Sequence, residues 1–270
     1  MAHTRSFSHS TRSARRALGA AVAMAASAAV SGNALAQAAS PPEGTQWGLG
    51  LAAGVFQQPY AGLDNKNRAL PLLYVENRWL RIAGPMADLK LGTLQGSYGS
   101  LAFTGRLKYD GSGYDAKDSP QLAGMDDRKE SFWAGGAVSW NTSIARTSLE
   151  WLGDASGHSK GQQLQLQVDR RFSFGALSIT PRVQAQWLDK KYVDYYYGVQ
   201  AHEATASRAQ YTGKAAMTYG LGARVDYQIQ PRHSVFLDVS ATSLPTEIKN
   251  SPIVDRSSVT RASVGYVYRF

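Results

Sequence analysis

The chain of 270 residues contains no cysteine, so disulfide staples, thiolate metal sites and cysteine nucleophiles are excluded. Histidine is scarce, with five in all and only His158, His202 and His233 beyond residue 36. Lysines and arginines never run longer than two together, which argues against a nucleic-acid footprint and makes nucleic acid an unexpected partner. No apolar stretch beyond residue 36 reaches the roughly 20 residues that a membrane helix needs. The mean hydropathy of −0.31 fits a water-soluble protein, but the patterning of the residues does not.

The first 36 residues have the three parts of a secretory signal peptide. Arg5, Arg12, Arg15 and Arg16 precede the run ALGAAVAMAASAAV, and Ala34-Leu35-Ala36 supplies a small-x-small cleavage site. Cleavage after Ala36 leaves 25 basic against 20 acidic residues and lowers the net charge from +9 to +5. Residues 37–45 are then a short N-terminal segment, and 46–270 form one domain.

That domain alternates. In QQLQLQVDRRF, Leu164, Leu166, Val168 and Phe172 oppose Gln163, Gln165, Gln167, Asp169 and Arg171. MTYGLGARVDYQI, SITPRVQAQW and QWGLGLAAGVF repeat the pattern, which in a strand makes one apolar and one polar face. The stretches approach the 9–11 residues of a membrane-spanning strand rather than the 5–6 of a soluble sandwich. Aromatics such as Trp47, Trp140, Trp151, Phe172, Trp187 and Tyr227 cluster near stretch ends, as in interfacial girdles. The polar face carries charges of both signs, which a dry sandwich core solvates poorly.

The expected fold is therefore all-β: a transmembrane antiparallel β-barrel in outer-membrane lipid, with both termini periplasmic. The strands are read as 46–56, 69–76, 79–84, 87–94, 100–109, 131–140, 146–153, 162–172, 176–187, 216–229, 234–244 and 258–270. That makes about twelve, or ten if 77–86 does not form two tight turns. The long connections 57–68, 110–130, 154–161, 188–215 and 245–257 all fall at odd, extracellular places. The chain closes on SVGYVYRF, where Tyr266, Tyr268 and Phe270 share the apolar face. Such an ending resembles the C-terminal signal read by the outer-membrane assembly machinery.

Catalytic signals are thin. Asp154, Ser156 and His158 share one loop, and His202-Glu203 is an acid–base pair or half a metal site with no visible second half. Gly48-Leu49-Gly50-Leu51-Ala52-Ala53-Gly54 lacks the spacing and the following helix of a dinucleotide fingerprint. No catalytic residue, metal ligand or cofactor is assigned, and the glycines are read as shaping a curved wall. The polar face places Arg106, Lys108, Arg171, Arg182, Arg224 and Arg261 in the lumen together with Glu150, Asp169, Asp226, Asp238 and Arg269. Two readings follow: ion pairs filling the barrel, or an open pore favouring anions.

One stretch goes beyond alternation. Asp194-Tyr195-Tyr196-Tyr197-Gly198-Val199, then Glu203-Ala204 and Tyr211, with Pro59-Tyr60-x-Gly62 and Leu70-Pro71-Leu72-Leu73-Tyr74, resembles the MipA/OmpV family of outer-membrane proteins. The resemblance implies a barrel with no catalytic residue. It also implies a scaffolding role that links a membrane-bound lytic transglycosylase to a bifunctional penicillin-binding protein in murein synthesis. Other members are described as porin-like, adhesive or stress-responsive. By parity the tyrosine-rich loop faces outside, away from murein, so it is expected to pack into the barrel mouth with Glu203 pairing a lumen arginine. The expected function is a non-enzymatic scaffold, with a narrow anion-favouring porin as second reading and a barrel hydrolase as third.

Overall fold

The computed structural model describes residues 44–270; the signal peptide expected over 1–36 and most of the short segment after it lie outside the described residues. The strands are β1 (Gln46–Phe56), β2 (Lys66–Glu76), β3 (Leu80–Ala83), β4 (Met86–Gly96), β5 (Gly99–Asp110), β6 (Ser131–Asn141), β7 (Arg146–Asp154), β8 (Gln162–Asp169), β9 (Phe172–Phe174), β10 (Leu177–Leu188), β11 (Ala216–Gln230), β12 (His233–Ser243) and β13 (Ser258–Arg269). They form one antiparallel sheet in chain order, except that β8 and β9 both lie beside β10. β8 and β9 are two pieces of a single stave: Asp169 pairs with Arg182 and Phe172 with Ile179 of β10 in unbroken register. The gap between them has a local cause. Arg170 N–H donates to the Pro181 carbonyl at 3.3 Å, but proline has no N–H to return. Thirteen segments thus make twelve staves.

Pairing of β1 with β13, from Gly48↔Arg269 to Phe56↔Arg261, closes the barrel and removes the sheet edge. Gly50 permits that seam: a Cβ there would lie 2.1 Å from the Tyr266 carbonyl oxygen. The register also settles which side chains face in. Leu49, Leu51, Leu221, Val183 and Val264 stand exposed on the outer wall, where acyl chains replace water. The outer aromatics form two belts. Phe132, Trp151, Trp187 and Tyr219 lie toward the long loops, and Trp47, Trp79, Trp140, Tyr227 and Phe270 toward the termini.

Loops 57–65, 111–130, 155–161, 189–215 and 244–257 all leave from the end opposite the termini, while turns 77–79, 97–98, 142–145, 175–176 and 231–232 are short. The terminus-bearing end is the periplasmic one in barrels of this kind. Both tight turns around 77–86 form. Asn77 Oδ1 accepts from Trp79 and Leu80 N–H, each at 2.8 Å, and Gly84 takes a positive φ of 58°. The hairpin they bound is low, because β3 has only 4 residues. β2 starts at Lys66, earlier than residue 69, since Lys66-Asn67-Arg68 pair with Phe56, Val55 and Gly54 although they are polar on both faces.

Candidate functional site: the loop plug and the lumen belt

The outer mouth holds the largest buried cluster of the chain. Asp189 caps α1 (Lys190–Tyr197), accepting from Tyr192 N–H at 2.8 Å. The helix drives Tyr192, Val193 and Tyr196 inward onto Trp133, Leu152, Leu188 and Ala216, the inward residues at the outer ends of β6, β7, β10 and β11. Tyr192 packs on Trp133 with ring centroids 5.4 Å apart. The neighbouring loops join the same core. Tyr60 stacks edge-on against Tyr114 at 4.6 Å and bridges Val254, and Ile248 of α2 (Thr246–Lys249) and Ile253 are fully buried. Burial pushes the phenols of Tyr60 and Tyr192 well above their ordinary range, and that of Tyr197 up to about 12.

A polar lock runs through this core. Arg128 donates to both carboxylate oxygens of Glu203 at 2.8 and 2.9 Å, and both side chains are almost wholly shielded from solvent. Glu203 also accepts backbone N–H bonds from Asp126 at 2.9 Å and Gln200 at 2.7 Å. Burial alone would raise its pKa, but those N–H groups and the guanidinium outweigh it and hold the carboxyl below its ordinary value. Arg128 further donates to the carbonyls of Tyr195 and Asp126. Arg208 donates to the carbonyls of Gln121, Ala123 and Glu203. Loops 111–130 and 189–215 are thereby one unit.

The family-motif residues converge here. Tyr196 and Val199 are buried. Tyr195 Oη accepts from Lys129 N–H at 2.9 Å, and Gly198 N–H closes α1 on the Asp194 carbonyl at 2.9 Å. Tyr211 pairs with Val199 and donates to the Glu247 carbonyl at 2.8 Å. Ala204 alone stays exposed. The expected partner of Glu203 needs correction: it is Arg128 of a neighbouring loop, not an arginine of the lumen wall. No local pattern marks Arg128, because its loop has no period and its partner lies 75 residues away.

Below the plug, every sequence-assigned lumen residue faces inward. Arg106 bonds both oxygens of Asp88, at 2.6 and 2.8 Å, and also Glu150, which Lys108 approaches at 3.7 Å. Arg182 crosses Gly222 to grip Asp238 at 2.7 and 2.9 Å. Arg224 bonds Asp226 at 3.0 Å and lies over the Phe236 ring. Arg171 and Arg261 have no carboxylate within 4.0 Å among the described residues. Asp88, Arg81 and Arg146 belong to the same inward set, and extending the period-2 count along β3, β4 and β7 would have found them.

The catalytic alternatives come apart in space. Asp154 spends its oxygens on the turn, accepting from Ser156, Gly157, Ser159 and Lys160 N–H. Ser156 Oγ accepts from Phe132 N–H, and His158 Nδ1 sits 3.0 Å from the Glu130 carbonyl, so Ser156 and His158 do not engage each other. His202 Nε2 lies 2.9 Å from Asp126 Oδ2 rather than on Glu203. Asp126, His202 and Glu203 bring ligand atoms within 4.8 Å of one another, yet Glu203 has both oxygens committed to a guanidinium, a poor neighbour for a cation.

Residues 49–270 match the family described as MltA-interacting protein MipA. The chain is 27% identical over 230 residues to the MltA-interacting protein of Escherichia coli K12, covering 83% of this chain and 90% of that one. It is 26% identical over 164 residues to the outer membrane protein OmpV of Vibrio cholerae, covering 61% and 64%. Among solved structures, an outer membrane channel from Pseudomonas putida F1 aligns over 84% of this chain and 95% of its own, with a TM-score of 0.44 and 10% identity. A closed twelve-stave barrel with exposed apolar walls, a tyrosine plug and this match over nearly all described residues lead to one conclusion: the chain is an outer-membrane β-barrel belonging to the MipA/OmpV family.

Proposed function

We propose that the protein is a non-enzymatic scaffold of the cell envelope, sealed at its outer mouth, that engages a murein enzyme from the periplasmic side. The observation that carries this reading is the Arg128–Glu203 pair. Its remaining polar atoms are satisfied by backbone groups, and it sits in a core of buried tyrosines that opening the two loops would expose to water, so the closed plug is the favoured state. A relative bears the name MltA-interacting protein, which supports a murein enzyme as partner; a penicillin-binding synthase beside it follows from the family resemblance alone. The tyrosine motif points away from the periplasm and builds the plug, so the contact surface belongs to the other end. In loop 155–161 Ser156 Oγ is held by Phe132 N–H and Ser159 Oγ donates to Asp154, so neither serine is set up against His158 as an activated nucleophile.

A second reading, the narrow anion-favouring porin, is favoured by the unpaired Arg171 and Arg261 of the lumen. Planar-bilayer recording of the folded barrel in a salt gradient separates the two, alongside detergent copurification of the tagged protein from envelopes. Silence in the bilayer with a lytic transglycosylase recovered in the pull-down is expected. Stable unitary steps with an anion-selective reversal potential would replace the scaffold by the porin.

A further inference from the structure

The two ends of the barrel differ in charge. Four of the five outer loops carry acids, among them Asp64, Asp115, Asp126, Glu130, Asp194 and Glu247, interspersed with lysines and arginines, whereas the five periplasmic turns contain no aspartate or glutamate. At the periplasmic mouth four arginines face inward, Arg146 and Arg171 from neighbouring staves and Arg81 and Arg269 from other sectors of the wall. Arg81 lies near the start of β3, Arg146 begins β7, Arg171 falls between β8 and β9, and Arg269 ends β13. Their register fixes the direction: Arg81 opposes Asp88, Arg146 opposes Asp169, and Arg269 opposes Gly48.

All four are exposed, and none has a carboxylate within 4.0 Å among the described residues. Three of them meet neutral groups: Arg146 donates to Ser139 Oγ at 3.1 Å, Arg171 donates to Ser178 Oγ at 2.9 Å, and Arg269 lies over the Tyr74 ring at 5.4 Å. Of the nearby acids, Glu76 is paired with Lys90 at 2.7 Å and Asp226 with Arg224, while Asp169, opposite Arg146, is held by the side-chain amide of Gln167 at 2.9 Å. Arg261 apart, the deeper belt is paired, and these four arginines of the mouth are not.

We infer that the periplasmic mouth is a receptor for one extended acidic peptide segment. Size and spacing select this class. Twelve staves about 4.8 Å apart and tilted by about 40° enclose a backbone diameter of roughly 24 Å. Arginine side chains reaching inward about 7 Å from opposite walls leave roughly 10 Å, the width of one extended chain with its side chains. A single small anion cannot touch arginines on opposite walls. An extended chain can, since its successive side chains point to opposite sides. The guanidinium fork matches a carboxylate bidentately.

This names the docking surface of the proposed scaffold and rests on that reading for the side of approach. Bilayer conductance tests the plug and peptide binding tests the mouth, so either can fail alone. The probe is fluorescent hexaglutamate, followed by anisotropy with the full barrel folded in zwitterionic detergent. Saturable binding is expected, with none for hexaglutamine, weakening about tenfold or more between 50 and 300 mM salt as screening grows. Combined Arg81→Gln, Arg146→Gln, Arg171→Gln and Arg269→Gln should weaken it by about 30-fold or more. Should that variant not fold, a photo-crosslinking hexaglutamate on the unaltered barrel decides. Adducts on inward residues near the periplasmic ends of β3, β7, β9 and β13 are expected. Adducts confined to the outer loops, equal binding of hexaglutamine, or full displacement by inorganic phosphate at matched charge would each overturn the inference.

Discussion

Arg128 and Glu203, 75 residues apart in the chain, meet in a two-bond ion pair at 2.8 and 2.9 Å that is buried beneath two loops. Around it, carbonyls and N–H groups satisfy the remaining polar atoms, so the pair works as a fastener between loops that share no secondary structure.

Removing one side of that fastener should open the mouth without dissolving the barrel. Glu203→Ala leaves a buried guanidinium uncompensated, a loss of about 3–5 kcal/mol. Protease cleavage within 111–130 and 189–215 should become fast, while heat-modifiable migration on gels stays that of a folded barrel. Unchanged protection of the loops would show that the tyrosine core holds the plug alone.

The plug should also have a pH window. The Glu203 carboxyl is held below its ordinary value of about 4.3. Its contribution is therefore complete above about pH 5 and is lost as pH falls through the lowered value. Tyr197 is the opposite case. Its phenol is raised to about 12 from about 10, so its contribution is complete below pH 10 and is lost between 10 and 12. Loop proteolysis against pH, with tyrosinate absorbance on the alkaline side, should show protection failing at both extremes.

The seam between β1 and β13 should not tolerate a side chain at Gly50. A Cβ there would approach the Tyr266 carbonyl oxygen to 2.1 Å, so Gly50→Val must either push the strands apart or block closure. The folded, heat-modifiable fraction after refolding should fall several-fold. Gly157→Ala, in an outer loop where a Cβ meets nothing within 4 Å, serves as the comparison. Its positive φ of 73° costs about 1 kcal/mol, yet the barrel should close.

Phe270, with Tyr268 and Tyr266, is proposed as the signal for the assembly machinery. Phe270 is exposed, and its N–H donates to the Trp47 carbonyl at 3.0 Å, a backbone bond that any residue could make. Phe270→Asn should therefore refold in vitro as the unaltered chain does, while its outer-membrane level in cells drops several-fold. Equal levels in cells would reduce the aromatic to a girdle residue.

Much of this was legible in advance at the positions where a strand's two faces meet different solvents. Leu164, Leu166 and Val168 against Gln163, Gln165 and Gln167 already contain the inside and outside of β8, because side-chain direction alternates with no freedom to drift. Lys66, Asn67 and Arg68 hid the start of β2, since all three are polar and the alternation vanishes. The break between β8 and β9 came from Pro181 on the next stave, a cause that cannot be seen in the segment it interrupts.

The amino-acid sequence by itself determined the barrel and its inward residues, and left twelve staves or ten. Each of these follows from a period of two and from the need to satisfy every backbone group in lipid. Only the tertiary structure decided that Glu203 takes Arg128, that Arg106 spends itself on Asp88 and Glu150, and that Arg81, Arg146, Arg171 and Arg269 remain free at one end. Pairing among charges depends on distances across the lumen and between loops. Those distances are set by closure of the sheet and have no counterpart in residue spacing along the chain.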